Sequence, residues 1–384
     1  MSDATVVIIG GGIMGTSTAY HLARAGVRGI VVLEADALAS GSSGKPLGGV
    51  RAQFSDPANI ALGARSLAAF ARFDDEFGVD IGYQKVGYLF LFRDDADVAR
   101  YRSSIELQNS LGVDSRMITG QAAAERSPYV DPGAVVAAAW SAGDGFARPG
   151  VVVNAYAAAA ADLGAEICTE SPVVGIEQAR SGGVTVHVGD GRAYKTPTVV
   201  CACGAWSSQI GAMVDVDLPI EPLRRQIAFT TPLSPRPPRV PFTIDYSTTA
   251  YFHCNDDRSG LLVGIADKQQ AVGFDTSVTT DWHDTLRTAL AQFAPTLTGL
   301  RFASGWAGLY EMTPDCNALI GEADTTGFRF LYAAGFSGHG FLQGPAVGEA
   351  VADLYLGNEP AVDVTAFDVG RFAGDHERTE LNII

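Results

Sequence analysis

Three glycines near the N-terminus have a spacing that suits phosphate binding. Gly10, Gly12 and Gly15 follow the apolar residues 5–9, and a segment with helical periodicity continues from them to Gly26. In such a strand–turn–helix, Gly10 permits a tight turn, Gly12 lets the backbone approach a diphosphate, and Gly15 lets helix and strand pack closely. The free N–H groups and partial positive charge at the helix N-terminus then bind the diphosphate.

An acidic residue completes this pattern after the next apolar run. Residues 30–33 have the sequence Ile-Val-Val-Leu and lead directly into Glu34. A carboxylate at this place accepts hydrogen bonds from the ribose hydroxyls of a dinucleotide. A glycine triplet alone is a weak signal that also fits a purely structural turn. With strand, helix and acid in register, it predicts a Rossmann-like dinucleotide-binding unit.

The composition of the chain limits the function classes. The chain has 384 residues, of which 47% are hydrophobic, and a formal net charge of −16. This length predicts two domains, and scattered basic residues on an acidic chain argue against nucleic-acid or anionic-membrane partners. The N-terminus predicts a strand rather than a signal peptide, and no apolar run has transmembrane length. Five cysteines without metal-ligand spacing predict reduced thiols, no metal site and a cytoplasmic protein.

A second glycine-rich segment near the C-terminus distinguishes FAD from NAD. Residues 328–333 predict a buried strand, residues 335–341 are rich in glycine, and a helix is predicted from about Pro345 to Leu356. An NAD-binding domain does not usually need such a distant element, whereas a helix N-terminus can stabilise the negative charge of a reduced flavin. A loop that only lets the last helix pack on the sheet is the structural alternative.

Between these two segments the sequence alternates between helical and strand patterns. Helices are predicted at 58–77, 149–163 and 281–294, short strands at 165–168, 173–179, 184–188 and 192–201, and an antiparallel sheet with proline-rich links from 218 to 310. The predicted class is α/β with an α+β substrate part. A discontinuous FAD-binding domain (1–84, 147–217 and 303–384) is interleaved with an antiparallel-sheet substrate domain (85–146 and 218–302).

Together these motifs resemble the D-amino-acid oxidase superfamily of FAD-dependent oxidoreductases, most closely its sarcosine oxidase and glycine oxidase branch. The similarity extends over nearly the whole chain and also includes residues 41–44 and 200–206. The resemblance implies that FAD is bound by Gly10, Gly12, Ile13, Met14, Gly15, Glu34, Ala35, Ser42, Ser43, Gly44, Lys45, Val173, Cys203, Gly204, Trp206, Gly308, Gly338, His339, Gly340, Phe341 and Leu342.

The resemblance also implies a reaction. Family members oxidise a C–N bond by moving a hydride from Cα to flavin N5, and water hydrolyses the resulting imine. Here the implied substrate is a secondary amine or N-substituted glycine, with a larger N-carboxymethyl amine of a biosynthetic pathway as one form. Arg51 would bind the substrate carboxylate, with Arg224 or Arg225 as the second choice, because a guanidinium forms two parallel hydrogen bonds with it. Tyr251 and Tyr310 would orient the substrate.

Three positions depart from the sarcosine oxidase pattern. Gly308 replaces the cysteine that carries the flavin, which predicts non-covalent FAD. Leu342 replaces a second cation, which predicts a more apolar pocket on that side. Leu262 replaces a lysine thought to assist oxygen, so Lys45 or Lys268 is considered in its place.

Three alternatives stay open at this point. The electron acceptor is either O2 or a protein. The substrate is alternatively a D-amino acid or a hydroxy acid. The chain is alternatively the FAD-binding subunit of a heteromeric amine dehydrogenase. The sequence does not predict the oligomeric state.

Overall fold

The computed structural model describes residues 2–45, 47–180, 182–267, 270–374 and 378–382. Its strands are β1 (Ser2–Asp3), β2 (Val6–Ile9), β3 (Ile30–Leu33), β4 (Gly49–Val50), β5 (Tyr88–Phe92), β6 (Ser115–Thr119), β7 (Ala137–Ser141), β8 (Gly145–Phe146), β9 (Glu166–Cys168), β10 (Val173–Gln178), β11 (Val184–Val188), β12 (Ala193–Thr196), β13 (Thr198–Cys201), β14 (Glu221–Thr230), β15 (Phe242–Asp245), β16 (Tyr251–Cys254), β17 (Leu261–Gly264), β18 (Phe302–Met312), β19 (Leu319–Ala323) and β20 (Arg329–Ala334). Its helices are α1 (Ile13–Arg24), α2 (Pro57–Ala71), α3 (Phe73–Phe77), α4 (Asp95–Ser110), α5 (Gly120–Arg126), α6 (Pro149–Asp162), α7 (Ser207–Ala212), α8 (Trp282–Leu290) and α9 (Gly340–Leu356).

A six-stranded sheet with the order β19-β20-β13-β2-β3-β9 carries the N-terminal glycine motif. Its strands are parallel except for β19, which pairs antiparallel with β20. All residues of β2, β3 and β13 are buried, as continuous apolar runs in a covered parallel sheet require. The first and last strand–helix units, β2–α1 and β20–α9, therefore belong to one Rossmann-like layer.

Helices α1 and α9 cross at very short distance on this sheet. A Cβ atom on Gly344 would lie 2.2 Å from the Ile13 side chain, and one on Gly348 would lie 2.2 Å from Ser17 Oγ. Helix α6 packs against the other side of α1. The two helix N-termini are thereby fixed side by side at the same edge of the sheet.

An eight-stranded sheet with the order β18-β14-β17-β16-β15-β5-β7-β6 forms the second large layer. Neighbouring strands are antiparallel except for β5 and β15, which are parallel. Strand β18 ends beside the carboxyl edge of the six-stranded sheet, where the Ser337 N–H donates to the Glu311 carbonyl (3.1 Å). The predicted combination of a Rossmann-like FAD-binding unit with a largely antiparallel sheet is confirmed. The proposed domain boundaries stay a prediction.

Three helix predictions were wrong in their bounds. The helix predicted at 281–294 ends at Leu290. The segment predicted as one helix at 58–77 is divided into α2 and α3, because Arg72 leaves the helical conformation (φ −110°, ψ 5°). Helix α9 begins at Gly340 rather than near Pro345, which lies inside the helix. A proline is therefore not the start signal here, and the helix reaches further into the glycine-rich segment. None of the described helices combines the length and apolar character of a membrane crossing.

Candidate active site

A cavity of about 550 Å³ opens between the six-stranded and eight-stranded sheets. Its two ends differ in chemistry. Glu34, Val173 and the glycine turn after β2 line one end, and the side chains of Arg51, Tyr251 and Tyr310 line the other. This is the size and polarity of a site for a small molecule or cofactor.

The glycine turn after β2 leaves no room for side chains. Gly10 has φ +112°, and a Cβ there would lie 2.2 Å from the Ala202 carbonyl oxygen. A Cβ on Gly12 would lie 2.8 Å from Ser43 Oγ, which accepts a hydrogen bond from the Ile13 N–H (3.0 Å). The backbone at the start of α1 is therefore open to the cavity, as binding of a diphosphate requires.

Glu34 holds the turn and faces the cavity. Its Oε2 accepts a hydrogen bond from the Gly11 N–H (2.6 Å) and its Oε1 accepts one from the Asp36 N–H (3.0 Å). Each carboxylate oxygen has a further lone pair, so Glu34 can still accept ribose hydroxyls. Val173 lies at the same end of the cavity.

The N-terminus of α9 forms another wall. Helix α9 begins without a side-chain cap, and Gly340, Phe341 and Leu342 line the cavity. Gly338 has φ +96°, and a Cβ there would lie 2.3 Å from the Tyr310 ring. Uncapped N–H groups of a 17-residue helix beside Tyr310 suit a group that becomes negatively charged during a reaction. Together with the turn after β2, they fit an extended dinucleotide that ends in an isoalloxazine ring.

The structure brings most of the predicted site residues together. The residues of the predicted set that line the cavity are Gly10, Gly12, Ile13, Met14, Glu34, Ala35, Ser42, Ser43, Lys45, Arg51, Val173, Cys203, Gly204, Trp206, Tyr251, Gly308, Tyr310, Gly338, His339, Gly340, Phe341 and Leu342. Gly15 and Gly44 lie behind it. A Cβ on Gly15 would be 1.9 Å from the Gly10 carbonyl oxygen and one on Gly44 would be 2.3 Å from the Ala39 carbonyl oxygen, so both allow backbone segments to cross.

Lys45 and Lys268 were considered in place of the family lysine that is thought to assist oxygen. Lys45 is exposed at the rim of the cavity, and its carbonyl accepts a hydrogen bond from Trp306 Nε1 (2.6 Å). Lys268 lies outside the described residues. Leu262, at the position of the family lysine, packs in the apolar core beneath the eight-stranded sheet.

Arg51 is a buried cation at the end of the cavity that Tyr251 and Tyr310 line. It is 3% exposed, donates to the carbonyls of Gln53 and Asn382, and has its guanidinium carbon 4.2 Å from the centroid of the Phe54 ring. Two backbone carbonyls occupy two of its N–H groups, and the guanidinium has five. The remaining donors are available for a carboxylate in the cavity.

Two buried titratable groups lie close to Arg51. Burial raises the pKa of Asp144 to about 7, although the Ala52 N–H (3.2 Å) and the charge of Arg51 favour its ionised form. Burial and the same arginine charge lower the pKa of His339 to about 3. His339 is therefore neutral at physiological pH and adds no second charge beside Arg51.

Tyr251 and Tyr310 place two phenols in the cavity. Burial raises the pKa of both hydroxyls, so both are neutral. The Tyr251 ring passes over Gly264, where a Cβ would lie 2.3 Å from its hydroxyl oxygen. Two neutral hydroxyls in an apolar wall can donate hydrogen bonds without adding charge.

Strand register separates the two adjacent arginines of β14. Arg225 is opposite Gly308 on β18, on the face that lines the cavity. Arg224 points away, donating to Gln270 Oε1 (2.7 Å) and to Asp275 Oδ2 (2.8 Å). Successive side chains of a strand lie on opposite faces, so only Arg225 can serve the cavity.

Glu311 is a cavity residue that the sequence analysis missed. It follows Tyr310 on β18, and its Oε2 accepts a hydrogen bond from the Gly335 N–H (3.1 Å). Burial raises its pKa to about 7. The cavity residues Tyr88, Phe242 and Trp306 were missed as well, and so was the buried Asp144 behind Arg51. None of these residues belongs to a motif, and strand alternation would have placed Glu311 on the face opposite Tyr310, so no sequence signal indicated it.

Comparison with known proteins places this geometry among flavoenzymes. Residues 5–354 match a family model described as FAD dependent oxidoreductase. The chain is 28% identical to FAD-dependent oxidoreductase domain-containing protein 1 of Xenopus laevis, over 99% of this chain and 85% of that protein. It is 27% identical to mitochondrial sarcosine dehydrogenase of Homo sapiens, over 98% of this chain but 42% of that protein. The chain thus spans less than half the length of the sarcosine dehydrogenase.

A solved structure extends the similarity to the whole fold. L-proline dehydrogenase from P. horikoshii superposes with a TM-score of 0.90 at 33% sequence identity, covering 97% of this chain and 98% of that chain.

Proposed function

The chain belongs to the family of FAD-dependent oxidoreductases, and we propose that it oxidises the C–N bond of a secondary amine that carries a carboxylate. The family membership confirms the resemblance described above, FAD as the cofactor and the interpretation of the chain as an amine or amino-acid oxidoreductase. The names of two relatives support a secondary amine, because sarcosine and L-proline both have one.

One observation carries this proposal. A buried guanidinium, Arg51, and two neutral phenols, Tyr251 and Tyr310, face one cavity beside the N-terminus of α9. Bound FAD supplies the acceptor for a hydride. The N-terminal and C-terminal glycine segments would hold its diphosphate and its ring, and the three side chains would hold the substrate.

Each side chain has a separate task in this proposal. Arg51 binds the carboxylate through donors that the Gln53 and Asn382 carbonyls leave free. Tyr251 and Tyr310 donate hydrogen bonds that orient the substrate. An apolar cavity with a cation nearby also disfavours an ammonium ion, so the substrate nitrogen is held with its lone pair available. That lone pair is needed to form the C=N bond as the hydride leaves.

Anaerobic mixing of the FAD-loaded protein with a panel of compounds tests the proposal. Sarcosine, L-proline and longer N-alkyl glycines should bleach the flavin absorbance, whereas D-lactate should not. Bleaching by D-lactate alone would assign the protein to hydroxy-acid oxidation. Bleaching by dithionite but by no amine in the panel would reject the proposal. The rate of recolouring after admission of air then measures whether O2 is the electron acceptor.

A further inference from the structure

The buried Arg51 and the partly buried Arg225 line the same cavity from different elements. Arg51 follows β4, and Arg225 lies in β14, opposite Gly308. Neither forms an ion pair with a carboxylate of the described residues. An uncompensated guanidinium is costly to bury, so such a group is typically matched by an anion. One substrate carboxylate would match only one of the two.

Arg225 lines the cavity and has a donor without an acceptor among the described residues. Its Nη1 shares long contacts of 3.2 Å with the carbonyls of Arg224 and Asp267, and its buried Nε has no hydrogen-bond acceptor among the described residues. The Asp267 carboxylate accepts a hydrogen bond from the Gln270 amide (2.6 Å). Gly308, opposite Arg225 across the strand pair, also lines the cavity.

Each of the two arginines lies over a different aromatic ring. The guanidinium of Arg225 is 5.1 Å from the centroid of the Tyr310 ring, and that of Arg51 is 5.3 Å from the centroid of the Phe90 ring. Burial raises the pKa of Tyr310, and the charges of both Arg225 and Arg51 oppose that rise. Tyr310 is therefore close to Arg225 and within the electrostatic influence of Arg51.

We propose that Arg51 and Arg225 bind two carboxylates of one substrate, which is an N-(carboxyalkyl) amino acid with its secondary nitrogen beside Tyr310. This inference rests on the proposed amine oxidation and specifies its substrate class. The substrate gives a hydride from the carbon next to nitrogen to FAD, and the nitrogen lone pair forms the C=N bond. Water adds to that carbon, the C–N bond breaks, and the products are a 2-oxo acid, a primary amino acid and reduced FAD.

Binding of unreactive analogues tests the two-carboxylate site without turnover. Thiodiacetate has two carboxylates and (methylthio)acetate has one, and sulfur replaces the reactive nitrogen in both. Dissociation constants come from perturbation of the flavin absorbance in the FAD-loaded protein. Arg225→Gln should weaken thiodiacetate binding about 10–100-fold, the effect of losing a charge-assisted hydrogen-bonded contact. It should change (methylthio)acetate binding less than about threefold, and the matched control Arg224→Gln should leave both ligands within that range.

Two results would overturn the inference. Equal weakening of both ligands by Arg225→Gln would show that Arg225 binds the common carboxylate, and no weakening would show that it binds neither. Arg225→Lys retains the charge and replaces Arg225→Gln in the experiment if that variant does not fold. It should weaken the binding of thiodiacetate but not that of (methylthio)acetate. The proposed function fails separately, if Arg225-dependent thiodiacetate binding is found but no amine bleaches the flavin.

Discussion

The guanidinium of Arg225 lies over the ring of Tyr310, 5.1 Å from the ring centroid, and Tyr310 in turn lies against the backbone of Gly338. This contact joins β14, β18 and the loop before α9 at one point. A substrate held between Arg225 and Arg51 would therefore lie beside the segment that we expect to hold the flavin ring. Four experiments test separate parts of this arrangement.

FAD should be released intact when the protein is precipitated with acid. Gly308 occupies the place of the flavin-bearing cysteine, and a Cβ there would lie 2.8 Å from the Lys45 Cβ, so the position has neither a thiol nor space for one. The supernatant should contain FAD by chromatography. Flavin remaining in the washed pellet would contradict the non-covalent assignment, and FMN in the supernatant would contradict the choice of cofactor.

Arg51→Lys should weaken substrate binding far more than FAD binding. An ammonium cannot form the two parallel hydrogen bonds of a guanidinium, and the loss of about 2–3 kcal/mol corresponds to roughly 30–150-fold in affinity. Titration with (methylthio)acetate measures this loss, and Arg224→Lys is the control. Because Arg51 also binds the Gln53 and Asn382 carbonyls, the melting temperature must be followed in parallel. Unchanged affinity would move the primary anchor to Arg225.

Asp144→Asn should stabilise the protein increasingly as pH rises. The pKa of Asp144 is about 7 in the folded state because of burial, against 3.8 for an unburied carboxyl. Its contribution to stability is therefore fully present below about pH 4 and is lost as pH rises through 7. The variant avoids this loss, which is at most about 4 kcal/mol between pH 4 and pH 8. Urea unfolding at several pH values measures the difference.

Glu106→Gln is the control for this experiment, because it removes an exposed acidic group from the surface of α4. Its stability difference from the wild type should hardly change over the same pH range. A stability difference between Asp144→Asn and the wild type that does not change with pH would show that folding does not raise the pKa of Asp144.

A longer N-alkyl chain should improve the substrate. Leu342 is 6% exposed and lines the cavity where the resemblance implies a cation, so this wall is apolar. Each buried methylene contributes about 0.8 kcal/mol, so three or four add about 2–3 kcal/mol. Stopped-flow reduction rates for N-alkyl glycines should rise from sarcosine to a medium chain, and Leu342→Ala should reduce the increment. A steady fall from sarcosine upward would show that the pocket is small.

The parts of the fold that the sequence predicted are those specified by local rules. Gly10, Gly12 and Glu34 are in the predicted places because a turn and an acid at fixed spacing have few other uses. The predicted start of α9 was wrong because tertiary contacts, including the Gly344–Ile13 crossing, extend the helix to the N-terminal side of Pro345. Sequence spacing carries no information about such contacts.

The site was predicted less completely than the fold. The sequence does not distinguish Arg224 from the adjacent Arg225. Only the register of β14 against β18 places Arg225 on the cavity face and Arg224 on the opposite face. Asp144 approaches Arg51 across more than ninety positions of sequence, through its contact with the Ala52 N–H. Burial, which raises the pKa of this carboxyl, depends on the whole packed structure and not on neighbouring residues.

A single anaerobic turnover tests the central claim most directly. The FAD-loaded protein is mixed with a substoichiometric secondary amino acid, and bleached flavin and carbonyl product are both quantified. We expect one carbonyl compound and one primary amine for each flavin bleached, with slower bleaching when the transferred hydrogen is replaced by deuterium. Bleaching without a carbonyl product, or no bleaching by any carboxylated amine in a protein whose FAD is reduced by dithionite, would contradict it.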